Sequence, residues 1–261
     1  GGGGLNLFDR ESNSFTSFKN DEKNPGSLSN NIIYSINEDR SGNIWVGTWG
    51  GGLNLFDRKL NSFKSYKHDF LNLGSISNDF VASIYEDHSG LLWIGTIGGG
   101  INILDKQRNT FRHFQHQQQN PRSLSDNYVN ALAEDEFGLL WVSTFSHGIN
   151  TIDIHGNVIK RYQNDRQRAN SLSHNNVHII YKDDSGNMWI GSDEGLSLFD
   201  RQRNSFINYR YSSKKSNSLS DNTVYTLCDD ASGNLWIGTF RGGLNLLDKK
   251  QNAFKQYEHN P

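Results

Sequence analysis

The stretch Glu38-Asp39-Arg40-Ser41-Gly42-Asn43-Ile44-Trp45-Val46-Gly47-Thr48-Trp49-Gly50-Gly51-Gly52-Leu53-Asn54-Leu55-Phe56-Asp57 decides the fold. It returns almost unchanged as Glu86-Asp87-His88-Ser89-Gly90-Leu91-Leu92-Trp93-Ile94-Gly95-Thr96, followed by Ile97-Gly98-Gly99-Gly100-Ile101-Asn102. Further copies centre on Trp141, Trp189 and Trp236, so that successive tryptophans lie 48, 48, 48 and 47 residues apart. A fixed period of this length marks stacked supersecondary units that share a continuous core.

Each full unit holds four strand-like runs. The first is Ile33-Tyr34-Ser35-Ile36, with copies beginning at Val81, Val129, Val177 and Val224. Side chains alternate along a strand, so the apolar first and fourth places are expected on opposite faces, as in a strand sandwiched between neighbouring sheets. The second run is Ile44 to Thr48, the third Leu53 to Phe56 and the fourth Phe63 to Tyr66. Asp39-Arg40-Ser41-Gly42 and its copies supply a carboxylate that caps its own turn and a glycine for positive φ. Asp57 to Asn61 closes the next hairpin. Polar links between units end in Ser-Leu-Ser or Ser-Ile-Ser, and their lone apolar residue is expected to tuck between adjacent units. The 47-residue spacing places a one-residue deletion at Gly191-Ser192-Asp193-Glu194-Gly195, which a loop tolerates and a strand does not.

Four antiparallel strands repeated at this length predict an all-β fold, the β-propeller, with blades of about 48 residues. The tryptophans are then inter-blade packing, and Gly47, Gly95, Gly191 and Gly238 leave room for a neighbour's side chain, with Ser143 as the exception. The first twenty residues match the second half of a unit. The expected organisation is one partial propeller domain over 1–261: a half blade 1–28 and blades 29–76, 77–124, 125–172, 173–219 and 220–261. Because it opens and stops in mid-repeat, the chain reads as a piece of a longer protein, an open arc of a larger ring.

Composition fits. The 261 residues are 34% hydrophobic but 12% aromatic, with 26 Gly, which suits short strands and tight turns. A net charge of −2 with scattered signs gives no electrostatic case for nucleic acid or an anionic surface. Cys228 alone excludes an internal disulfide framework. No apolar run reaches the length of a membrane span.

The unit Asn-x-Val-x-x-Ile-x-Glu-Asp-x-Ser-Gly-Asn-x-Trp-x-Gly-Thr-x-Gly-Gly-Gly-Leu-Asn-x-Phe-Asp resembles the two-component regulator propeller repeat, over all five units and the leading half. The resemblance implies a seven-bladed ring. It also implies the extracytoplasmic, periplasmic sensor region of an inner-membrane receptor, a hybrid histidine kinase or a related diguanylate cyclase. The implied partners are a small-molecule or oligosaccharide ligand, the rest of the same receptor chain, and a second copy in a homodimer. Nucleic acid and a membrane segment within this stretch are not implied, and neither is a cofactor.

Chemistry is expected where the repeat changes. Residues that build a blade recur, whereas those that serve a ligand need not. The loop between second and third strands carries Trp49; Ile97; Phe145-Ser146-His147; Asp193-Glu194; and Phe240-Arg241. Function on rigid scaffolds concentrates in such loops. Rings beside charged groups suit a sugar, stacking on its apolar face and bonding its hydroxyls. The candidate ligand-binding set is therefore Trp49, Ile97, Phe145, His147, Asp193, Glu194, Phe240 and Arg241; the competing reading is that the apolar members merely cover the next blade. The Gly-rich loops lack phosphate-loop spacing and join strands. The acidic turns offer too few oxygens for calcium. His113 and His116 are expected on opposite faces of an outer strand and His174 and His178 at a strand start, as surface or inter-blade residues. No catalytic residue or metal ligand is assigned. A propeller lyase using His147 as its base, and a plain protein-interaction scaffold, remain alternatives.

Overall fold

The repeat dictates a chain of short antiparallel meanders, and the computed structural model shows them over residues 2–153, 155, 157–215 and 217–257. The chain divides into two compact units. One runs up to Gln117 and includes Asn127–Val129; the other comprises Gln118–Asp126 and the chain from Asn130 onward. Among the described residues no helix is long and apolar enough to cross a membrane.

In the first unit β1 (Leu5–Asp9) pairs with β2 (Ser14–Phe18) as a half blade. The first full blade runs β3 (Ile33–Glu38), β4 (Ile44–Thr48), β5 (Leu53–Asp57) and β6 (Ser62–Tyr66), each strand beside the next. The second blade repeats this with β7 (Val81–Glu86), β8 (Leu92–Thr96), β9 (Gly100–Asp105) and β10 (Thr110–Phe114). The remaining blades are β11 (Val129–Glu134), β12 (Leu140–Thr144), β13 (Gly148–Ile152) and β14 (Val158–Tyr162); β15 (Val177–Lys182), β16 (Met188–Ser192), β17 (Gly195–Asp200) and β18 (Ser205–Tyr209); and β19 (Val224–Asp229), β20 (Leu235–Thr239), β21 (Leu244–Asp248) and β22 (Ala253–Tyr257). The architecture is that of a β-propeller: five four-stranded blades and a two-stranded half. First strands of consecutive blades approach one another, β3 against β7 and β15 against β19.

Tryptophans mark the seams. Trp45 packs with Leu53 against Val81, Ile84 and Ile94 of the second blade, and Trp189 with Leu196 against Val224, Leu227 and Ile237 of the last. Four of the five are buried, each removing on the order of 200 Å² from water. Trp236 departs from that expectation and is half-buried, since no blade among the described residues packs over it. The link residues Leu28, Ile76, Leu124, Leu172 and Leu219 are all fully buried. Leu28 joins Val46, Phe56 and Phe63, while Ile76, Leu172 and Leu219 enter the clusters around Trp45, Trp141 and Trp189.

The alternation expected for the first strand is wrong, and the reason is local. In the second blade Val81 pairs with Thr96, but Ser83 pairs with Gly95 and Ile84 with Ile94. One residue is skipped, so Val81 and Ile84 share a face instead of opposing each other. The same bulge skips Tyr34, His178 and Tyr225 in other blades. A bulge re-aims a side chain. Tyr34 is 55% and Tyr225 47% exposed.

Candidate functional site

Loop tips are held by the blade and by the next link. Thr48 Oγ1 donates to the Gly52 carbonyl at 2.9 Å, and Thr96, Thr144 and Thr239 repeat the bond four residues on. Ser192 bonds Gly195 only three residues on, so the missing residue falls in this hairpin, leaving Asp193-Glu194 as a two-residue tip. Asn54 Nδ2 donates to Ser29 Oγ at 2.7 Å while the Ser29 N–H donates to Asn54 Oδ1, fastening the link to the third strand. Asn150 and Asn245 repeat it; Ser197 stands there in the fourth full blade and bonds Ser173 instead. Rigid frames therefore carry variable tips.

In the first unit the tips carry aromatics. The Trp49 N–H donates to the Ile32 carbonyl. Its ring stacks on Tyr34, with centroids 4.8 Å apart at 22°, and meets Phe80 edge-on at 4.7 Å. Ile97 occupies the matching place one blade on, donating its N–H to the Phe80 carbonyl and bridging to Tyr128. Tyr34, Trp49 and Phe80 thus form a ladder across two blades, with Tyr34 and Trp49 open to solvent. Tyr34 and Trp49 together offer an exposed aromatic patch with one phenol, against which Phe80 stands on edge.

In the second unit the tips are charged. Asp193 Oδ1 accepts from His178 Nε2 at 2.6 Å and Oδ2 from Asn176 Nδ2 at 2.6 Å, with His174 Nδ1 3.8 Å away. Burial alone would raise the Asp193 carboxyl, but the bonds from His178 and Asn176 outweigh it and hold it below its ordinary value. The His178 ring lies 4.3 Å from Tyr225, Tyr225 lies 5.7 Å from Phe240, and Arg241 sits over Phe240 at 5.4 Å. Asp193, Phe240 and Arg241 are therefore joined through two residues outside the candidate set. Glu194 turns toward Arg210, whose Nη2 is 3.9 Å from its carboxylate. His147 belongs to another group, its Nδ1 3.2 Å from Asp126 Oδ2, beside an exposed Phe145.

The residues that tie these groups together are Tyr34, Phe80, His178 and Tyr225; sequence reasoning read His178 as a surface or inter-blade residue and passed the other three over. Their signal was present: the second place of the first run reads Tyr, Ala, Asn, His, Tyr, and the residue before that run reads Ile, Phe, Tyr, Asn, Thr. Both places vary as freely as the loop. His113 is accounted for structurally, its Nε2 lying 2.7 Å from the Ser75 carbonyl. Among the described residues no group of three or more His, Cys, Asp or Glu is arranged to hold a metal ion.

Uniform four-stranded blades bearing changeable tips define a repeat propeller. The description "two component regulator propeller" matches residues 27–50, 75–98, 123–146, 171–194 and 218–241. The chain belongs to this family of propeller repeats.

Solved structures agree on the fold. The extracellular domain of BT3049 from B. thetaiotaomicron, assigned to a hybrid two component system, is 25% identical, with a TM-score of 0.58 over 90% of this chain and 36% of that one. That of BT4673 from the same organism, assigned to a one component system, is 22% identical, with a TM-score of 0.66 over 99% of this chain and 41% of that one. This chain thus spans about two fifths of those extracellular domains. A catalytically inactive virginiamycin B lyase from Staphylococcus aureus, bound to quinupristin, shares 12% identity at a TM-score of 0.68, over 95% of this chain and 75% of that one; that likeness is one of fold. No curated protein matches the chain.

Proposed function

We propose that this chain is the ligand-sensing, extracytoplasmic propeller segment of a bacterial two-component receptor of the hybrid histidine kinase type, and that its ligand is a glycan fragment. The observation that carries the reading is the Tyr34–Trp49–Phe80 ladder, with Tyr34 and Trp49 exposed, built at positions where an otherwise constant repeat changes. Stacked rings cover the apolar face of a pyranose, while the Asp193–His178–Asn176 group shows how tips of the same kind present hydrogen-bonding atoms. Kinship with extracellular domains of two component systems supports the sensing role and the periplasmic side of the inner membrane. Signalling requires that the ligand bind two arrangements of the receptor unequally, since equal affinity shifts nothing.

A thermal-shift panel of oligosaccharides against the complete extracellular region tests the glycan. The expected result is a stabilising hit that Trp49→Ala weakens by about tenfold, the loss of one good stacking contact. Silence from the whole panel sinks the glycan and leaves sensing standing. Sensing itself fails if the gene beyond Pro261 closes the ring and then stops, instead of encoding a membrane helix and a kinase or cyclase. A propeller lyase is a second reading, favoured by the His147–Asp126 and His178–Asp193 pairs, either of which could orient a base. Turnover that survives both His147→Ala and His178→Ala removes it.

A further inference from the structure

The links between blades share one turn, and one of them carries side chains the turn does not need. In the link after β6 the Asn72 N–H donates to the Asp69 carbonyl at 3.0 Å and the Ser75 N–H to the Asn72 carbonyl at 2.9 Å. Asp69 Oδ1 accepts from the Leu71 N–H at 2.9 Å, and Ser75 Oγ accepts from the Asp69 N–H at 3.0 Å. The same bonds recur around Asp21, Asn24 and Ser27, and around Asp165, Arg168 and Ser171. The backbone is thus fixed in one shape whatever stands at its tip.

What stands there differs. Phe70 is 89% exposed, Leu71 96% and Leu73 90%, and Phe70 meets the His68 ring edge-on at 4.5 Å. No charged residue occurs from Phe70 to Gly74, whereas each of the other four links has at least one: Glu22 and Lys23, Arg122, Arg166 and Arg168, and Lys214 and Lys215. Because Glu22-Lys23-Asn24-Pro25 builds the same turn, the fold does not call for the apolar tip. Scattered exposed apolar residues need no explanation, but three on one short rigid tip, Phe70, Leu71 and Leu73, mark a surface that meets something apolar.

We propose that the Phe70-Leu71-Asn72-Leu73 tip inserts into the interfacial layer of a lipid bilayer. The tip exposes roughly 400 Å² of apolar surface, about half of the 800 Å² per partner that a specific protein interface buries. It is convex, so two copies meeting tip to tip would leave much of it wet. A fluid layer closes around such a tip without a matching pocket, and burial of each methylene adds to the affinity. Lys67 and Asp69, just before the tip, are both exposed and of opposite sign, so the attraction rests on the apolar residues. The proposal uses none of the loop-site residues and holds or fails apart from the sensing role.

Vesicle flotation of the full chain tests it, with phosphatidylcholine alone and with phosphatidylglycerol added. The control is the triple variant Phe70→Glu, Leu71→Lys, Leu73→Pro, which copies the first link. Wild type should float with both vesicles, and the variant should lose about tenfold or more in partitioning while its melting temperature is kept. A Phe70→Trp variant should shift its emission to the blue on adding vesicles. Wild type that stays with the soluble fraction, or a variant that floats equally well, overturns the proposal. So does flotation on the anionic vesicles alone, which would assign binding to charge. A concentration-dependent dimer that the triple variant abolishes, without vesicle binding, overturns it in favour of a second copy.

Discussion

Asp39 is a buried carboxylate on which several donors converge. The backbone N–H groups of Ser41 and Asn43, the Asn43 amide and the Trp45 indole at 2.9 Å all donate to it, and Lys106 of the following blade adds an ammonium at 2.8 Å. Asp183 repeats the pattern with Trp189 and Lys249, and Asp135 with Trp141 and Arg201. Removing it in Asp39→Ala leaves the buried indole N–H without an acceptor, while Lys106 keeps Glu86 at 3.3 Å, and should cost about 1–3 kcal/mol in urea denaturation. Burial would raise the carboxyls of Asp39, Asp87 and Asp183, but hydrogen bonds, with Lys106 and Lys249 at Asp39 and Asp183, hold all three below the ordinary 3.8. The native state therefore binds fewer protons than the unfolded chain near that pH. Their stabilisation is complete above about pH 5 and is lost as pH falls through 3.8 toward the lower native values. The denaturation midpoint should be flat from pH 7 to pH 5 and fall below pH 4; a midpoint unchanged at pH 3 contradicts this. A second expectation concerns Gly95, where an added Cβ would meet Ser83 Oγ and, at 2.6 Å, Val129. The third full blade solves the same problem with the pair reversed, Ser143 Oγ accepting from the Ala131 N–H at 2.8 Å. Gly95→Ser alone should cost about 1–3 kcal/mol of overpacking, and Ser83→Ala added to it should restore most of the loss.

Among elements, the hairpin between β16 and β17 tests where the chain tolerates change. One glycine inserted after Asp193 restores the length of the other loops and should cost under about 1 kcal/mol, because loop closure depends weakly on length. It should also release His178 from Asp193, visible as a moved imidazole resonance. The same insertion after Trp189 shifts every later side chain of β16 to the wrong face and should prevent folding. Blades, hairpins, the deletion and the buried link leucines were legible because each rests on period, turn chemistry or a lone apolar residue in polar company. The bulge at the head of the first strand was not, since Val-Ala-Ser-Ile reads as plain alternation and only pairing shows that one residue is skipped. For that reason the loop candidates Trp49, Asp193 and Phe240 could be named as a site, while Tyr34, His178 and Tyr225, though they vary as the loop does, could not be placed beside them.

At the scale of the whole molecule, stability should follow nearest neighbours, since Trp45 and Trp189 are each lent to the seam with the next blade. Ending the chain after Ser218 removes Leu219, Val224, Leu227 and Ile237 from the cluster around Trp189 and Leu196. Amide exchange in β16 and β17 should then quicken by several orders of magnitude; unchanged protection would show that a blade stands alone. The skipped residues of the first strands carry one further implication. Tyr34, Ala82, His178 and Tyr225 lie outside the buried seam clusters, so a designer could randomise them, unit by unit, exchanging only outer contacts such as His178 on Tyr225 and leaving the buried seams as they stand. The propeller would then serve as a chassis whose specificity is rewritten one letter at a time.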